Sequence, residues 1–335
     1  MKKILIVIGD AGGGHISCAR AMKEAFIKDC KGYDIEIVDL FKLSKFTKYY
    51  DYFYYLVSTY PFFEFFYNIG YMLIDKSAFL AKILEIPTAR SLYRPTMKLL
   101  KEKNPDLVLT NSCLTTLVLR KCKKKRDFNY VITVSDLIPV SRWWADSSAD
   151  IIFCPTKDAS KKIKGYNSEC NTQDSYYPLR EVEKYSKEKK SEVKERIFKK
   201  YKLKRDIPTV LITGCGIATR NIVKSMEEFI KGSKYQFLIL TGKDERLKKY
   251  LERKYIDESR VSVLGFTKEI VDLFYSSDIV LAKPGPATLL EIEEVGKRAV
   301  FTRAVGYQEW GNVEYLEKNP NFSYVGSNYS SIPAL

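Results

Sequence analysis

KKILIVIGDAGGGHISCARAMKEAFIK, residues 2–28, sets an apolar run, a glycine cluster and a helix-like segment in immediate succession. The run from Lys3 to Ile8 stops at Gly9, and the segment from His15 to Lys28 follows the glycines, so the chain opens as strand, loop and helix. Tyr33 to Leu40 alternates around Ile35, Ile37 and Leu40, and apolar runs at Leu107 to Thr110, Tyr130 to Val134 and Ile151 to Phe153 are bounded by polar breaks. Strands that alternate with helical stretches predict a buried parallel sheet.

The charged stretch EVEKYSKEKKSEVKERIFKKYKLKRD, Glu181 to Asp206, is almost free of large apolar residues before Ile197 and Phe198 and separates two halves. Alternation then restarts at Thr209 to Thr213, with a helix through Met226 and Ile230 and strands at Gln236 to Leu240, Arg260 to Leu264, Asp278 to Ala282 and Ala299 to Thr302. At 335 residues the chain is long enough for two cores. The expected organisation is an amino-terminal domain over residues 1–180, a charged linker region over 181–206 and a carboxyl-terminal domain over 207–335. Two doubly wound α/β domains facing a central cleft would bind ligands at the carboxyl ends of their sheets.

Hydrophobic residues make up 45% of the chain and charged residues 29%, the composition of a folded, water-soluble body. A formal net charge of +15, from 56 Lys and Arg against 41 Asp and Glu, points to an anionic partner (nucleic acid, acidic lipid or phosphate) or to a solvated basic surface. The run KCKKKR, Lys121 to Arg126, is accompanied by no RNA- or DNA-binding motif, so no nucleic-acid partner is expected. Seven cysteines without a CxxC pair and a single histidine argue against a zinc site, and no metal is expected. The odd cysteine count and a strand at the very start of the sequence, with no signal peptide, suggest a reducing, cytoplasmic location.

Tyr49 to Ile74, YYDYFYYLVSTYPFFEFFYNIGYMLI, is the densest aromatic stretch. Asp51, Pro61, Glu64 and Asn68 interrupt it, so it does not read as a membrane span. With Lys42, Lys45, Lys48, Lys76 and Lys82 nearby, it suits contact with an anionic membrane surface, the other reading being core or dimer packing.

The loop DAGGGH, Asp10 to His15, is neither GxGxxG nor a P-loop. Its glycines let a ligand approach exposed amides at a helix start, which makes Gly13 and Gly14 candidate contacts. His15 reads as a general base or as a capping histidine. Asp136 reads as the group that orients it or as a strand-end cap.

The segment from Val263 to Leu316 carries GF at Gly265 and Phe266, K-PGP-AT-E ending at Glu291, and G-QE-GN from Gly306 to Asn312. In that order they resemble the donor half of glycosyltransferase family 28, in its monogalactosyldiacylglycerol synthase and processive diacylglycerol glucosyltransferase branch. GGGHxxxA from Gly12 to Ala19 and SDLIPVSRWW from Ser135 to Trp144 look like the family's amino-terminal loop and its TDLxxxHxxW segment. The resemblance implies a GT-B fold and an inverting transfer of a hexose from a UDP-sugar to a lipid acceptor, diacylglycerol above all, by a protein peripheral on the cytoplasmic face of the membrane. It implies no cofactor, the UDP-sugar being a donor substrate.

Carried over by motif, Phe266 and Thr267 would offer backbone contacts to uracil, and Gly214 and Gly216 would admit the diphosphate. Gly285, Pro286, Ala287 and Thr288 would lie along that diphosphate at a helix start, with Glu291 on the ribose. Gln308, Glu309 and Asn312 would bind the sugar or hold its loop, with His15 as base. Ser141 stands at the family histidine position, KPG replaces K-AG at Lys283, and the chain stops soon after the GN motif, where relatives continue into a bracing helix. Competing readings are a polyprenyl-linked acceptor, a UDP-sugar epimerase, or a non-catalytic basic protein that binds nucleic acid or membranes.

Overall fold

The computed structural model describes residues 2–9, 13–182, 184–214 and 217–326. They form two compact units, one reaching to Glu181 and including Gly306–Gly311, the other made of Val182–Val305 and the residues from Asn312 onward.

In the first unit β1 (Lys2–Ile8), β2 (Tyr33–Asp39), β3 (Leu107–Thr110), β4 (Asn129–Thr133), β5 (Ile151–Cys154) and β6 (Thr172–Asp174) pair in parallel in the order β2-β1-β3-β4-β5-β6. The helices are α1 (Gly14–Asp29), α2 (Tyr50–Thr59), α3 (Pro61–Lys76), α4 (Ala78–Lys103), α5 (Cys113–Lys123) and α6 (Lys157–Tyr166). Ile4, Leu5, Ile6, Val7 and Ile8 of β1 are all buried because helices cover both sheet faces, which is why the run is continuous rather than alternating. One face packs against α4 and α5 through Leu92, Leu100, Leu119 and Cys122, the other against α1 through Ala19.

The second unit pairs β7 (Thr209–Ile212), β8 (Gln236–Leu240), β9 (Val261–Leu264), β10 (Ile279–Ala282), β11 (Ala299–Thr302) and β12 (Phe322–Gly326) in the parallel order β12-β11-β10-β7-β8-β9. Its helices are α7 (Lys187–Lys200), α8 (Ile217–Ser225), α9 (Glu227–Gly232), α10 (Glu245–Lys254), α11 (Ile270–Ser276), α12 (Pro286–Val295) and α13 (Tyr307–Leu316), the first turn of α13 grouping with the first unit. Strand order reverses between β1 and β3 in one sheet and between β7 and β10 in the other, the positions where open α/β sheets leave a crevice.

Of the stretch expected as a connector, residues 184–206 belong to the second unit. Ser186 caps α7 by accepting from the Lys189 amide at 3.2 Å, and Val193 and Ile197, one turn apart, are buried with Leu273 and Phe274 of α11. The lysines around them leave only a narrow apolar stripe.

The aromatic stretch forms α2 and α3, with Pro61 in the first turn of α3 where a missing amide hydrogen is harmless. Most of its rings are not core. Tyr49, Tyr52, Phe62, Phe65 and Phe66 are exposed, Phe62 by 67%, whereas Glu64, Tyr71 and Ile74 of α3 are buried. No helix among the described residues is long and apolar enough to cross a membrane.

Candidate active site

At the first switch point, past β1, Gly13 takes φ 89° as the N-cap of α1, a conformation that disfavours residues with a Cβ. No side chain caps this helix start. Gly14 is exposed and His15, half-buried beside it, is tied down twice. Its carbonyl accepts from Asn111 Nδ2 at 2.9 Å, just past β3, and its ring Nδ1 lies 3.3 Å from Ser135 Oγ, just past β4.

Ser135 Oγ donates its own proton to the Asn111 carbonyl at 2.9 Å, so toward the imidazole it is an acceptor. This assigns the ring proton to Nδ1 and leaves the lone pair on Nε2. Tyr177 donates to the Ser135 carbonyl at 3.1 Å and so helps to fix the same residue. The imidazole is thus held in the tautomer that a general base requires.

Asp136 does not hydrogen-bond to the imidazole; its Oδ2 accepts from Trp144 Nε1 at 2.7 Å. Burial raises its carboxyl above the usual range, the Trp144 bond opposes that shift, as a charge on the His15 ring does when it is protonated, and the Asp75 and Glu309 charges add to it. The aspartate and tryptophan of the TDLxxxHxxW-like segment are therefore partners across eight residues. Ser141, at the family histidine position, is fully buried and caps the short helix Arg142–Trp144 by accepting from the Trp143 amide at 3.3 Å, a structural use of the hydroxyl.

Gln308 and Glu309 would be sorted by sequence order with the second half, yet the structure groups them with the first unit. Tyr67 donates its hydroxyl to Gln308 Oε1, and buried Glu309 lies within electrostatic range of Asp136. Burial raises the phenols of Tyr67 and Tyr71 and the thiol of Cys113 well above their ordinary values, so these neighbours of Asp136 are neutral.

At the second switch point β7 and β10 remain bonded to their ends, the Thr213 amide donating to the Leu281 carbonyl at 2.9 Å before buried Gly214. Beyond β10, Gly285 is the N-cap of α12, with Pro286 in its first turn. Again no side chain caps the start and no acidic residue occupies the first turn, so the amides of Ala287 and Thr288 and the positive end of the helix dipole are offered to an anion. Fully buried Asn312 donates Nδ2 to the Pro284 carbonyl at 2.9 Å and holds the loop that delivers Gly285.

Glu291 is buried one turn into α12. Thr267 accepts from the Glu269 amide at 3.0 Å, and Phe266 is 56% exposed with Lys243 Nζ 5.8 Å from its ring centre. Gly12 and Gly216, named from the sequence, lie outside the described residues. Among the described residues no cluster of three or more His, Cys, Asp or Glu could hold a metal ion.

Ser135, Asn111 and the α3 side chains Glu64, Tyr67 and Asn68 were not singled out as site residues by the sequence. Ser135 stood inside a quoted motif, and the four-residue spacing of Glu64 and Asn68 was the available signal for α3.

Comparison with known proteins fits this geometry. The family model "Monogalactosyldiacylglycerol (MGDG) synthase" matches residues 15–172, and that of the "Glycosyltransferase family 28 C-terminal domain" matches residues 209–305. A probable monogalactosyldiacylglycerol synthase of Glycine max is 24% identical over 339 residues, 95% of this chain and 61% of that protein. A processive diacylglycerol beta-glucosyltransferase of Bacillus pumilus is 23% identical over 329 residues, 94% of this chain and 81% of that protein. The chain thus spans about three fifths of the plant relative's length. Among solved structures, Anabaena HepE in complex with UDP and glucose superposes with a TM-score of 0.57 at 14% identity, over 99% of this chain and 88% of that one. The two parallel sheets and this likeness make the fold GT-B.

Proposed function

Because the chain belongs to glycosyltransferase family 28, with a first half of the monogalactosyldiacylglycerol synthase type, we propose that it transfers a hexose from a UDP-sugar to a lipid acceptor, diacylglycerol, at a membrane surface. The observation that carries this reading is the placement of His15, whose Nδ1 faces the Ser135 hydroxyl at 3.3 Å while that hydroxyl donates to the Asn111 carbonyl, an arrangement that favours a free Nε2.

In the proposed reaction the acceptor hydroxyl oxygen attacks the anomeric carbon as Nε2 takes its proton, and the bond from that carbon to the diphosphate oxygen breaks. The electron pair leaves with UDP, whose developing charge the open amides of α12 and its dipole stabilise. Single displacement inverts the anomeric centre. Asp136 adds negative charge near the imidazolium as it forms, and its bond to Trp144 keeps the carboxylate in place.

The acceptor reading rests on α2 and α3. Phe66 contacts both Phe62 and Phe65, with ring centres 4.9 Å and 5.5 Å apart, and all three are exposed. Burying one such side chain is worth about 1.5–3 kcal/mol, so three together support reversible attachment to a bilayer, which basic side chains nearby would reinforce. Lys42, Lys45, Lys76 and Lys82 are exposed as well and favour anionic lipid, which supports a location on the cytoplasmic face.

The test is UDP release with UDP-glucose, UDP-galactose or UDP-N-acetylglucosamine and phosphatidylglycerol vesicles with or without diacylglycerol. Release that depends on diacylglycerol is expected with at least one donor. UDP binding without lipid-dependent release would overturn the acceptor assignment, and absence of UDP binding would overturn the donor assignment.

A further inference from the structure

Helix α3 is amphipathic in the reverse of the usual sense. Residues 64, 67, 68 and 71 recur at three- and four-residue spacing and form one face, made of Glu, Tyr, Asn and Tyr; Phe62, Phe65, Phe66, Ile69 and Leu73 stand exposed on the helix. A helix that only needed to pack would bury the phenylalanines. This one turns its polar side chains inward, and they converge on a single target within the first unit.

That target is the turn at the start of α13. Glu64 Oε1 accepts from the Gly306 amide at 3.1 Å, Asn68 Oδ1 accepts from the Tyr307 amide at 2.7 Å, and Tyr67 donates to Gln308 Oε1. Tyr71 adds a ring contact to Tyr307, with centres 5.5 Å apart. The first amides of any helix lack intrahelical acceptors, and here another helix supplies acceptors to the Gly306 and Tyr307 amides. The fit is close: Gly306 has φ 72°, and a Cβ there would lie 2.8 Å from the Tyr67 ring. The far end of α3 is anchored too, since Arg142 donates to the Ile74 and Asp75 carbonyls and Lys162 pairs with Asp75 at 3.3 Å. Position is therefore passed from a fixed helix to the turn.

We propose that Glu64, Tyr67 and Asn68 are positioning residues for donor-sugar recognition: they set the turn 306–308, and through it Gln308 and Glu309, in the arrangement that reads the sugar hydroxyls. The proposal rests on the UDP-sugar reading above. A mere packing role predicts equal effects on every ligand, whereas positioning of a sugar-reading turn acts on the UDP-sugar and spares UDP.

The experiment is calorimetric titration of the full chain with UDP and with UDP-glucose, UDP-galactose and UDP-N-acetylglucosamine, for the wild type, Asn68→Leu and Asn68→Asp. Asn68→Leu keeps the size but loses the acceptor, and is expected to weaken the preferred UDP-sugar about five- to tenfold, the change one net hydrogen bond carries, with UDP affinity unchanged. Asn68→Asp retains an acceptor for the Tyr307 amide and is expected to restore wild-type affinity. Tyr67→Phe, which keeps the ring and removes only the hydroxyl, tests the same pattern should Asn68→Leu not fold. Unchanged UDP-sugar affinity, parallel losses for UDP and UDP-sugar, or an Asn68→Asp variant as weak as Asn68→Leu would overturn the proposal alone. No UDP-sugar binding by the wild type would overturn the donor reading and this proposal with it.

Discussion

Helices α1 and α12 begin alike and end in different chemistry. Each follows a buried parallel strand beside a strand-order reversal, each has a glycine N-cap, and neither start is capped by a side chain or carries an acid in its first turn. The difference lies in what comes next. After Gly13 the chain places Gly14 and His15, with the imidazole held by Ser135; after Gly285 it places Pro286, Ala287 and Thr288, which contribute backbone and little else. One helix start presents a titratable ring and the other presents amides and a dipole. The same backbone device thus suits a base in one unit and an anion cradle in the other.

The comparison breaks first at His15. His15→Ala is expected to lower lipid-dependent turnover about 10²- to 10⁴-fold, the range for a removed general base, with UDP affinity by calorimetry unchanged. Comparable loss of UDP binding would mean that α1 also serves the donor, and the two helix starts would not divide the work.

The matching change in α12 is Ala287→Asp. A carboxylate in an uncapped first turn stabilises the helix by a few tenths of a kcal/mol but repels a diphosphate, so UDP affinity should fall about 10- to 100-fold while the melting temperature holds or rises. Unchanged UDP affinity would remove the anion cradle from the account.

Next is the tautomer. Ser135→Ala removes the acceptor facing Nδ1 and is expected to reduce kcat about tenfold, while Ser135→Thr, which keeps a hydroxyl, should recover most of it. Equal losses in both variants would show that the site is sensitive to volume at residue 135 rather than to the hydrogen bond.

The smallest effect concerns stability. Burial raises the Asp136 carboxyl, so the native state keeps its proton at pH values where the unfolded chain has lost it. Its contribution is full in acid and declines as pH climbs from the ordinary carboxylate pKa through the raised one. Asp136→Asn should therefore raise the melting temperature near neutral pH by about 2–4 °C, with the gain shrinking in acid. A melting temperature lowered at pH 7 would show that the Trp144 bond outweighs the burial.

What the sequence made legible follows from where the physics is local. The run ILIVI of β1 is continuous because both sheet faces are covered, and composition alone reveals it. The edge strands β6 and β12 went unread: TQD of β6 is short, polar and paired on one side, and it carries no apolar signal. In α7 the stripe of Val193 and Ile197 is hidden among lysines, so a packed helix resembled a connector.

At the site, His15 was legible through its glycines and the family pattern, but its partners were not. Asn111 and Ser135 lie far from it in sequence and meet it because β1, β3 and β4 are neighbours in the sheet. Glu64 and Asn68 looked like interruptions of an apolar segment, since the inference from amphipathicity assumes that apolar faces turn inward. On α3 the polar side chains turn inward, because they have backbone amides to satisfy, and the aromatics are left exposed.

The most direct test of the central claim is the anomeric configuration of the glycolipid made from an α-linked UDP-hexose and diacylglycerol in anionic vesicles, read from the proton coupling at the anomeric carbon. Single displacement with His15 as base predicts a β-linked product. An α-linked glycolipid, or sugar released into water with none on the lipid, would contradict it.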